Sequence, residues 1–367
     1  MNRLRVYSAI FLLCSHFAWS QQVRTIQNLP DELQENSGML HLGGGLFYFL
    51  NDGGNDPLLY RIDTTLEGFS TFEIMNAANV DWEDMAVDDH RNVYIGDIGN
   101  NGNARQNLAI YKTVDPETVF SNQLYVDTIQ FSYANQSAFP PAEPQLNFDC
   151  EAMCWFQDSL YLFTKNRTKP YNGWSYIYVL PDKPGKYVAQ LRDSVQFSAA
   201  TKEFGWVTSA DIRGDTLVLL SSAEVHIVAG FRSAPLVELT RFSYSVGFSQ
   251  KEAVSFGKSA SQVFFSDEFR VIGNKLYMLS IEGNRLGVER ITSPCFTSKL
   301  TSKKMEISCL KNKKALIRIL DISGAEVYEG KVFGRYTIKG KSIPRGVYLV
   351  QVVIEGQYTE FRWVKSE

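Results

Sequence analysis

The sequence is poor in histidine and in long apolar runs. It contains 4 histidines in 367 residues, and His16, His41, His90 and His226 follow no metal-ligand spacing, which disfavours zinc. After the first twenty residues no apolar run approaches the roughly 20 residues that cross a bilayer. We therefore expect no transmembrane segment in the mature chain. Helical periodicity is almost absent too, which argues against helical folds.

Residues 1–20 have the anatomy of a secretory signal peptide. Arg3 and Arg5 precede the apolar run SAIFLLC, and small residues lead to a cleavage point after Ser20. The mature chain would then begin at Gln21. Cys14 follows Leu13 rather than a small residue, which argues against a lipoprotein.

Removal of this leader leaves an even number of cysteines, namely Cys150, Cys154, Cys295 and Cys309. Disulfides persist in exported proteins. Cys150 and Cys154 lie in the predicted strand NFDCEAMCWF, where positions four apart are about 13 Å apart, beyond disulfide reach. We expect no bond between these two, and buried free thiols are the alternative to any bridge.

Charge divides along the chain. Residues 21–298 hold 21 basic residues against 33 acids, whereas residues 299–367 hold 14 against 7. An acidic body argues against nucleic acid as a partner, because a phosphate backbone is held by clustered Lys and Arg. It favours cations or cationic partners instead.

Short alternating strands rich in Tyr, Phe, Val and Leu recur between Gly, Asn and Asp turns, which indicates an all-β fold. Five units repeat a hairpin, a third strand and a more variable fourth. Each unit opens with an acid in or beside a strand, in the segments ENSGML, EDMAV, EAMCW, TSADIR and EAVSF. The spacings between these opening acids are 48, 68, 60 and 41 residues.

Four-stranded propeller blades run about 40 to 45 residues. We therefore predict a β-propeller of five blades, or six if the terminal strands assemble another, followed by a small C-terminal Ig-like β-sandwich. A pair of stacked sandwiches would show no repeat at this period. The predicted divisions are a signal peptide over 1–20, the propeller over 21–294, a linker over 295–304 and the C-terminal domain over 305–367. The segment QQVRTIQNL is a candidate to complete the last blade.

Acids within strands fit the lining of a propeller channel. The second strand of each unit ends on a polar group, and in an antiparallel hairpin that end lies beside the start of the first strand. Both sets should converge on one mouth of the channel. The candidate metal ligands there are Glu83, Asp84, Asp97, Glu151, Glu252, Asp267, Glu35 and Asp211. Glu35 and Asp211 fit less well, because their segments are shifted by about one position, which reverses the face of a strand.

Crowded carboxylates repel one another, which leaves three alternatives: a hydrated mouth, a structural cation, or a catalytic or substrate-binding metal. Calcium takes about six to eight oxygen ligands from carboxylates, carbonyls and water. It is the cofactor that we expect in an exported protein with this composition.

Strings between about residues 30 and 292 resemble a group of secreted bacterial propeller proteins, distantly related to phytase-like and NHL-type propellers. These strings are ENSGM, NDGG, DWEDMA, YIGDIGNN, CEAM, VTSADI and KEAVSF. In the better-understood relatives channel-mouth carboxylates hold calcium, and some members hydrolyse phosphate esters or lactones. The resemblance implies Glu83, Asp97, Glu151 and Glu252 as channel acids. It supplies no nucleophile and no phosphate-binding cluster.

The C-terminal strings LDISGAEVYEG, IPRGVYLVQV and GQYTEFRWVK resemble the type A sorting domain of the type IX secretion system. Pro344, Gly346, Tyr348, Val350 and Lys365 occupy its motif positions, and Ser-Glu beyond Lys365 is a departure. The resemblance implies the secretion machinery as a partner, passage across the outer membrane, and release or attachment at the cell surface. An accessory sandwich that binds something else is the alternative.

Two hypotheses of function remain open. One is an exported extracellular or cell-surface propeller that binds a glycan or a protein, with calcium at the channel mouth. The other is a calcium-dependent hydrolase of an ester, lactone or phosphoester, with Glu83, Glu151 and Glu252 as ligands and Asp97 or Asp267 as the base. Aromatic residues that could contact a sugar are Trp155, Tyr171, Trp174 and Trp206.

Overall fold

The structure is a computed structural model of the chain. It describes residues 22–66, 68–197, 202–247, 249–269, 273–281, 289–293, 296–300, 304–309, 313–320, 326–339, 343–344, 346–354 and 357–365. The predicted signal peptide and Cys295 lie outside these ranges.

The first described strand is β1 (Gln22–Asn28), and it is followed by two antiparallel four-stranded units. The first unit contains β2 (Asn36–Gly43), β3 (Leu46–Asn51), β4 (Leu58–Asp63) and β5 (Gly68–Ile74). The second contains β6 (Trp82–Val87), β7 (Val93–Asp97), β8 (Ala109–Thr113) and β10 (Asp127–Tyr133), while the short β9 (Gln123–Leu124) extends the first unit beyond β5.

Three further units complete the N-terminal domain. The third unit contains β11 (Cys150–Trp155), β12 (Ser159–Thr164), β13 (Trp174–Pro181) and β14 (Gly185–Gln196). The fourth contains β15 (Ser209–Arg213), β16 (Thr216–Leu220), β17 (Glu224–Ala229) and β18 (Arg241–Ser245). The fifth contains β19 (Lys251–Phe256), β20 (Gln262–Asp267) and β21 (Lys275–Ser280). One short α-helix, Lys202–Gly205, precedes β15, and single 3-10 turns lie at Asp31–Leu33, Pro116–Thr118, Glu143–Gln145 and Leu236–Glu238.

The first strands of the five units form a closed ring. β2 contacts β6, β6 contacts β11, β11 contacts β15, β15 contacts β19, and β19 returns to β2. Sheets that radiate from such a ring are the blades of a β-propeller. Within the described residues the propeller therefore has five blades, and the five predicted opening segments lie in or beside its innermost strands.

β1 completes the last blade, as QQVRTIQNL was predicted to do. It pairs antiparallel with β21, from Gln22 opposite Ser280 to Asn28 opposite Lys275. The start of the propeller domain is thus hydrogen-bonded to its end, which closes the ring without a covalent link.

Apolar side chains fill the space between neighbouring blades. Among the described residues, five buried clusters each draw on two adjacent blades; for example, Phe49 of β3 and Met278 of β21 share one of them. The second and third blades are also joined at their outer edge, where β10 pairs in parallel with β14. Packing between blades therefore fixes the ring, and the channel lining is free to carry polar groups.

The C-terminal domain is a β-sandwich of two four-stranded sheets. One sheet contains β22 (Glu289–Ser293), β23 (Phe296–Leu300), β24 (Lys304–Cys309) and β27 (Arg335–Lys339). The other contains β25 (Lys314–Leu320), β26 (Glu326–Phe333), β28 (Gly346–Ile354) and β29 (Gln357–Lys365). Both sheets contribute to one apolar cluster, with Ile307 and Ile338 on one side and Ile317 and Val350 on the other.

Part of the predicted linker over 295–304 is a strand. Phe296–Leu300 is a strand that pairs with β22 on one side and with β24 on the other. An antiparallel strand tolerates polar residues, so a polar and basic composition does not separate a strand from a linker. The first described strand of the sandwich sheets is β22, which starts at Glu289.

Cys150, Cys154 and Cys309 are buried free thiols. The expectation that Cys150 and Cys154 do not bond to each other is confirmed. No described helix is long and apolar enough to cross a membrane.

Deletion of residues 22–28 should open the ring, because it removes the whole β1–β21 ladder. We expect the melting temperature to fall by roughly 10 °C or more, since each kcal/mol of lost stability lowers it by a few degrees in a domain of this size. Differential scanning calorimetry measures the effect. Reinsertion of the same seven residues after Ile281 is the control and should restore part of the loss. An unchanged melting temperature after the deletion would contradict closure by β1.

Candidate functional site

The innermost strands all begin at one mouth of the channel. The Ser37 hydroxyl on β2 donates to the carbonyl oxygen of Trp82 on β6 at 3.2 Å. Thr208, directly before β15, donates likewise to the carbonyl oxygen of Lys251 on β19 at 2.8 Å. These bonds join first residues of neighbouring blades, so the side chains there gather at one level. We call this end the acidic mouth, and it is lined by Asp52, Asp81, Glu83, Asp149, Glu151 and Glu252.

β-Bulges explain how acids fit into these strands. The register between first and second strands shifts at Glu83, Glu151 and Glu252 in the second, third and fifth blades. A bulge leaves one residue out of the ladder and re-aims its side chain. The first blade has Ser37 at the equivalent shift, and β15 pairs without one. Glu35 and Asp211 therefore do not occupy the position that the three glutamates share.

Three carboxylates at the acidic mouth lie close enough to share one cation. Asp52 follows β3, Asp81 precedes β6 and Glu83 sits in the β6 bulge, and one oxygen of each lies within 4.8 Å of the others. Two ligands of one calcium ion can be up to about 5 Å apart, since each bond is about 2.3 to 2.6 Å long. We call Asp52, Asp81 and Glu83 the acidic trio.

Neighbouring backbone holds the trio in place. The Asn79 side chain donates to the carbonyl oxygens of Asn51 and Asp52 at 3.1 and 2.8 Å, which ties the first blade to the segment before β6. The backbone N–H of Asp81 donates to Asp97 at 3.1 Å. Two blades thus position the trio.

Two glycines keep the space beside the trio open. A Cβ atom on Gly99 would lie 2.3 Å from Glu83 Oε1 and 2.5 Å from Asp81 Cγ. A Cβ atom on Gly53 would lie 2.7 Å from Asp81 Oδ1. Real Cβ atoms do not approach so closely, so any larger residue at either position would displace the carboxylates.

The trio carries little compensating positive charge. Burial raises the pKa of Asp81 to about 6, and the Asp52 carboxylate adds to this while Arg105 opposes it. Burial also raises the pKa of Glu83 well above its usual range, with contributions from Glu151 and Asp52. The nearest ion pair joins Arg105 to Asp81 at 3.8 Å. A bound cation would relieve this repulsion.

The third blade brings its own cations to the mouth. Arg167 donates to Asp149 at 2.6 Å and to Glu151 at 2.9 Å, and the Lys165 ammonium also donates to Glu151. Burial disfavours the charged form of Lys165, but Glu151 and Glu252 outweigh it and raise its pKa. The Trp206 ring lies 4.7 Å from the Arg167 guanidinium and 5.3 Å from the Lys165 ammonium. This half of the mouth therefore carries two cations beside its carboxylates.

Most of the eight predicted metal ligands have protein partners instead. Asp97 accepts from Arg105 at 2.7 Å and from Tyr111 at 3.3 Å. Asp267 accepts from Ser249 at 2.7 Å and from Tyr277 at 2.9 Å, and lies 3.3 Å from Lys251. Glu151 forms salt bridges with Lys165 and Arg167. Neighbouring cations and hydroxyls therefore already contact Asp97, Asp267 and Glu151, which makes these three weaker candidates for metal ligands than Glu83.

Asp84 and Asp211 use their carboxylates to link neighbouring blades by hydrogen bonds. Asp84 is fully buried and accepts four hydrogen bonds, from the backbone of Met85, Met153 and Ala210 and from the Ser209 hydroxyl. Its carboxylate thus joins the second, third and fourth blades. Asp211 accepts from the Phe256 backbone at 2.7 Å and so joins the fourth and fifth.

Glu83 is the one predicted ligand that belongs to the acidic trio. Glu35 is exposed and accepts from Asn55 at 2.8 Å. Glu252 is buried near Glu151 and Lys165. Asp52 and Asp81 are not among the predicted ligands, although Asp52 directly follows the second strand of the first unit. A usable signal existed, because the spacing Asp-x-Glu occurs at Asp81–Glu83 and again at Asp149–Glu151.

The four candidate sugar-contacting aromatics do not form one surface. Trp155 ends β11 at the opposite end of the channel, where its indole N–H donates to Asp182 at 2.8 Å. Trp206 lies at the acidic mouth against Lys165 and Arg167. The two are separated by the length of an innermost strand.

Comparisons with known proteins report fold likeness alone. No protein-family model matches the chain, and no curated protein matches it. Among solved structures, the chain is similar to the PQQ-bound aldose sugar dehydrogenase of Streptomyces coelicolor, with a TM-score of 0.43 and 8% identity over 71% of this chain and 98% of that one. The chain is also similar to a protein proposed to be a gluconolactonase, with a TM-score of 0.41 and 8% identity over 71% of this chain and 92% of that one. A third similar structure is the WD40 β-propeller domain of Doa1, with a TM-score of 0.33 and 7% identity over 95% of this chain and 98% of that one.

The class of the protein follows from its own topology. It is a β-propeller with an acidic channel mouth, followed by a β-sandwich.

The raised pKa values of the trio predict how stability depends on pH. Without a cation, the folded protein keeps protons on Asp81 and Glu83 at pH values where the unfolded chain has lost them. Unfolding then releases protons, so the free energy of unfolding falls as pH rises. In chelator, the melting temperature should be several degrees higher at pH 5.5 than at pH 8. The Asp81→Asn/Glu83→Gln variant should show a smaller slope. Equal slopes in the two proteins would contradict the assignment.

Proposed function

We propose that this chain is an exported β-propeller that binds calcium at the acidic trio and uses the bound ion to hold an oxygen-bearing ligand. The observation that carries the proposal is the spacing of Asp52, Asp81 and Glu83, whose oxygens lie within 4.8 Å of one another. Their donor set is entirely carboxylate, which calcium prefers over softer ligands.

The number of ligands favours an ion that is open to a partner. Three carboxylates supply three to six oxygens, whereas calcium takes about six to eight. Water or ligand oxygens would fill the rest. Asp52 and Asp81 are partly exposed at the mouth, so a ligand approaches from the solvent side. Hydroxyls of a glycan or carboxylates of a protein would both suit such a position.

Binding is better supported than hydrolysis. The hydrolase alternative requires a free base near the metal, and it assigned this role to Asp97 or Asp267. Both carboxylates are held by cations and hydroxyls, through Arg105 and Tyr111 in one case and Lys251 and Tyr277 in the other. Each carboxylate therefore already accepts hydrogen bonds on its oxygens and is not a free base beside the trio.

Calcium should raise the melting temperature of the intact protein, because a ligand that binds only the folded state stabilises it by about 2.7 kcal/mol at 100 times its Kd. We expect a rise of several degrees, and we expect Asp81→Asn/Glu83→Gln to lose it together with at least about 100-fold in affinity. Isothermal titration calorimetry and thermal melts measure both effects.

The matched control is Asp56→Asn/Glu73→Gln, which removes one exposed Asp and one exposed Glu of the first blade. It should keep the calcium response of the wild type. The proposed calcium site would be refuted by equal responses in all three proteins. Turnover of aryl esters or phosphoesters that is lost in chelator would favour the hydrolase instead.

We further propose that the sandwich is the sorting signal for export across the outer membrane, as its resemblance implies. The support is a grouping of the motif residues. Gly346 lies opposite Lys365 in the β28–β29 ladder, and the Tyr348 hydroxyl donates to the carbonyl oxygen of Pro344 at 2.8 Å. The start of β28 and the end of β29 thus form one edge that a receptor could recognise.

Residues 289–367 fused behind a signal peptide and a fluorescent reporter should reach the cell surface or medium of a bacterium with type IX secretion. Tyr348→Phe removes the bond to Pro344 and should lower export at least about twofold, whereas Tyr336→Phe, on the other sheet, should not. Fractionation and immunoblotting measure this. Retention of the unmodified fusion in the periplasm would overturn the sorting role.

A further inference from the structure

The end of the channel opposite the acidic mouth carries a basic cleft. It is built where innermost strands end: β2 at His41–Gly43, β6 at Val87, β15 at Arg213, and Lys258 just after β19. The cleft has a volume of about 360 Å³. We define the basic cleft by its lining residues, which are His41, Leu42, Gly43, Val87, Asp88, Arg91, Arg213 and Lys258.

Ion pairing differs among the charged residues of the cleft. Arg91 is paired with Asp115 at 2.5 Å. Asp88 is paired with Lys112 at 3.6 Å and accepts from Asn92 and Tyr94. Arg213 and Lys258, in contrast, form no ion pair with any described residue. Positive charge is therefore left over on the wall formed by the fourth and fifth blades.

The half-buried Asp211 beneath this wall offsets part of the Arg213 charge but forms no ion pair with it. Asp211 lies two residues before Arg213, but its carboxylate accepts from the Phe256 backbone at 2.7 Å and the Ser255 hydroxyl at 3.0 Å. It is directed into the ring and makes no ion pair with Arg213. The guanidinium stays exposed at the rim of the cleft.

His41 lines the cleft, and the charges of both Arg213 and Lys258 act on its imidazole ring. Its ring lies 4.7 Å from the rings of Phe47 and Phe264, and Nδ1 lies 3.1 Å from the carbonyl oxygen of Phe256. Burial lowers the pKa of His41, and the charges of Arg213 and Lys258 lower it further. An anion between these cations would act in the opposite direction, which makes His41 a reporter of occupancy.

We propose that the basic cleft is a second binding site, specific for a small multivalent oxyanion of the phosphate or carboxylate class. Arg213 offers a planar fork of N–H donors that matches either group, and Lys258 adds a point charge. The volume of the cleft lies within the range of about 300 to 1,000 Å³ that small-molecule sites occupy. The site is separate from the acidic trio, because the two lie at opposite ends of the same innermost strands.

Titration of the intact protein with inorganic phosphate and with citrate tests the site, and the tighter binder identifies the class. Arg213→Gln/Lys258→Gln should weaken binding at least tenfold in isothermal titration calorimetry. The matched control, Lys186→Gln/Arg192→Gln, removes one exposed Lys and one exposed Arg from β14 and should bind like the wild type. The charge-preserving Arg213→Lys/Lys258→Arg should keep most of the affinity.

A second readout follows the His41 imidazole by NMR. Saturating phosphate or citrate should raise its pKa in the wild type and not in Arg213→Gln/Lys258→Gln. The Asp81→Asn/Glu83→Gln variant should still bind the anion, so failure of the calcium site would leave this site standing. Equal weakening in the β14 control, or a His41 pKa unmoved by either anion, would refute the basic cleft as a binding site.

Discussion

Repulsion among carboxylates at one end of a closed ring is the constraint on which the rest of this structure depends. Five innermost strands start at the same level, so the acids near the starts of β6, β11 and β19 are brought together whatever their distance in sequence. Burial makes the repulsion stronger. The fold relieves it with Lys165 and Arg167 beside the third blade and with Arg105 beside the second. Asp52, Asp81 and Glu83 have only one such ion pair among the described residues, between Arg105 and Asp81.

The channel is consequently divided along its length. Carboxylates gather where the strands begin, and two cations without an ion pair among the described residues, Arg213 and Lys258, lie where the strands end. Between the two, Asp84 and Asp211 use their carboxylates to hold the backbones of neighbouring blades together, a role that an apolar side chain could not perform. Apolar packing between blades supplies stability, which leaves the two channel ends free to bind different ligands.

The repeat of short alternating strands was sufficient to predict the all-β class, a ring of blades and the closing role of the N-terminal strand. The site was predicted less well. Counting acids located the mouth, but it could not show that Asp97 and Asp267 are neutralised, because Arg105 and Lys251 are brought to them by the fold. Bulges added a second difficulty, since Glu83 points to the mouth only through a local break in pairing. The sequence could not show that Phe296–Leu300, inside the predicted linker, is a strand, because a strand can be as polar as a loop.

Anomalous diffraction from a crystal grown in calcium tests the central claim most directly. A calcium peak about 2.3 to 2.6 Å from oxygens of Asp52, Asp81 and Glu83 is the result that this account predicts. A well-ordered acidic mouth with water alone between these carboxylates, at saturating calcium, would contradict it.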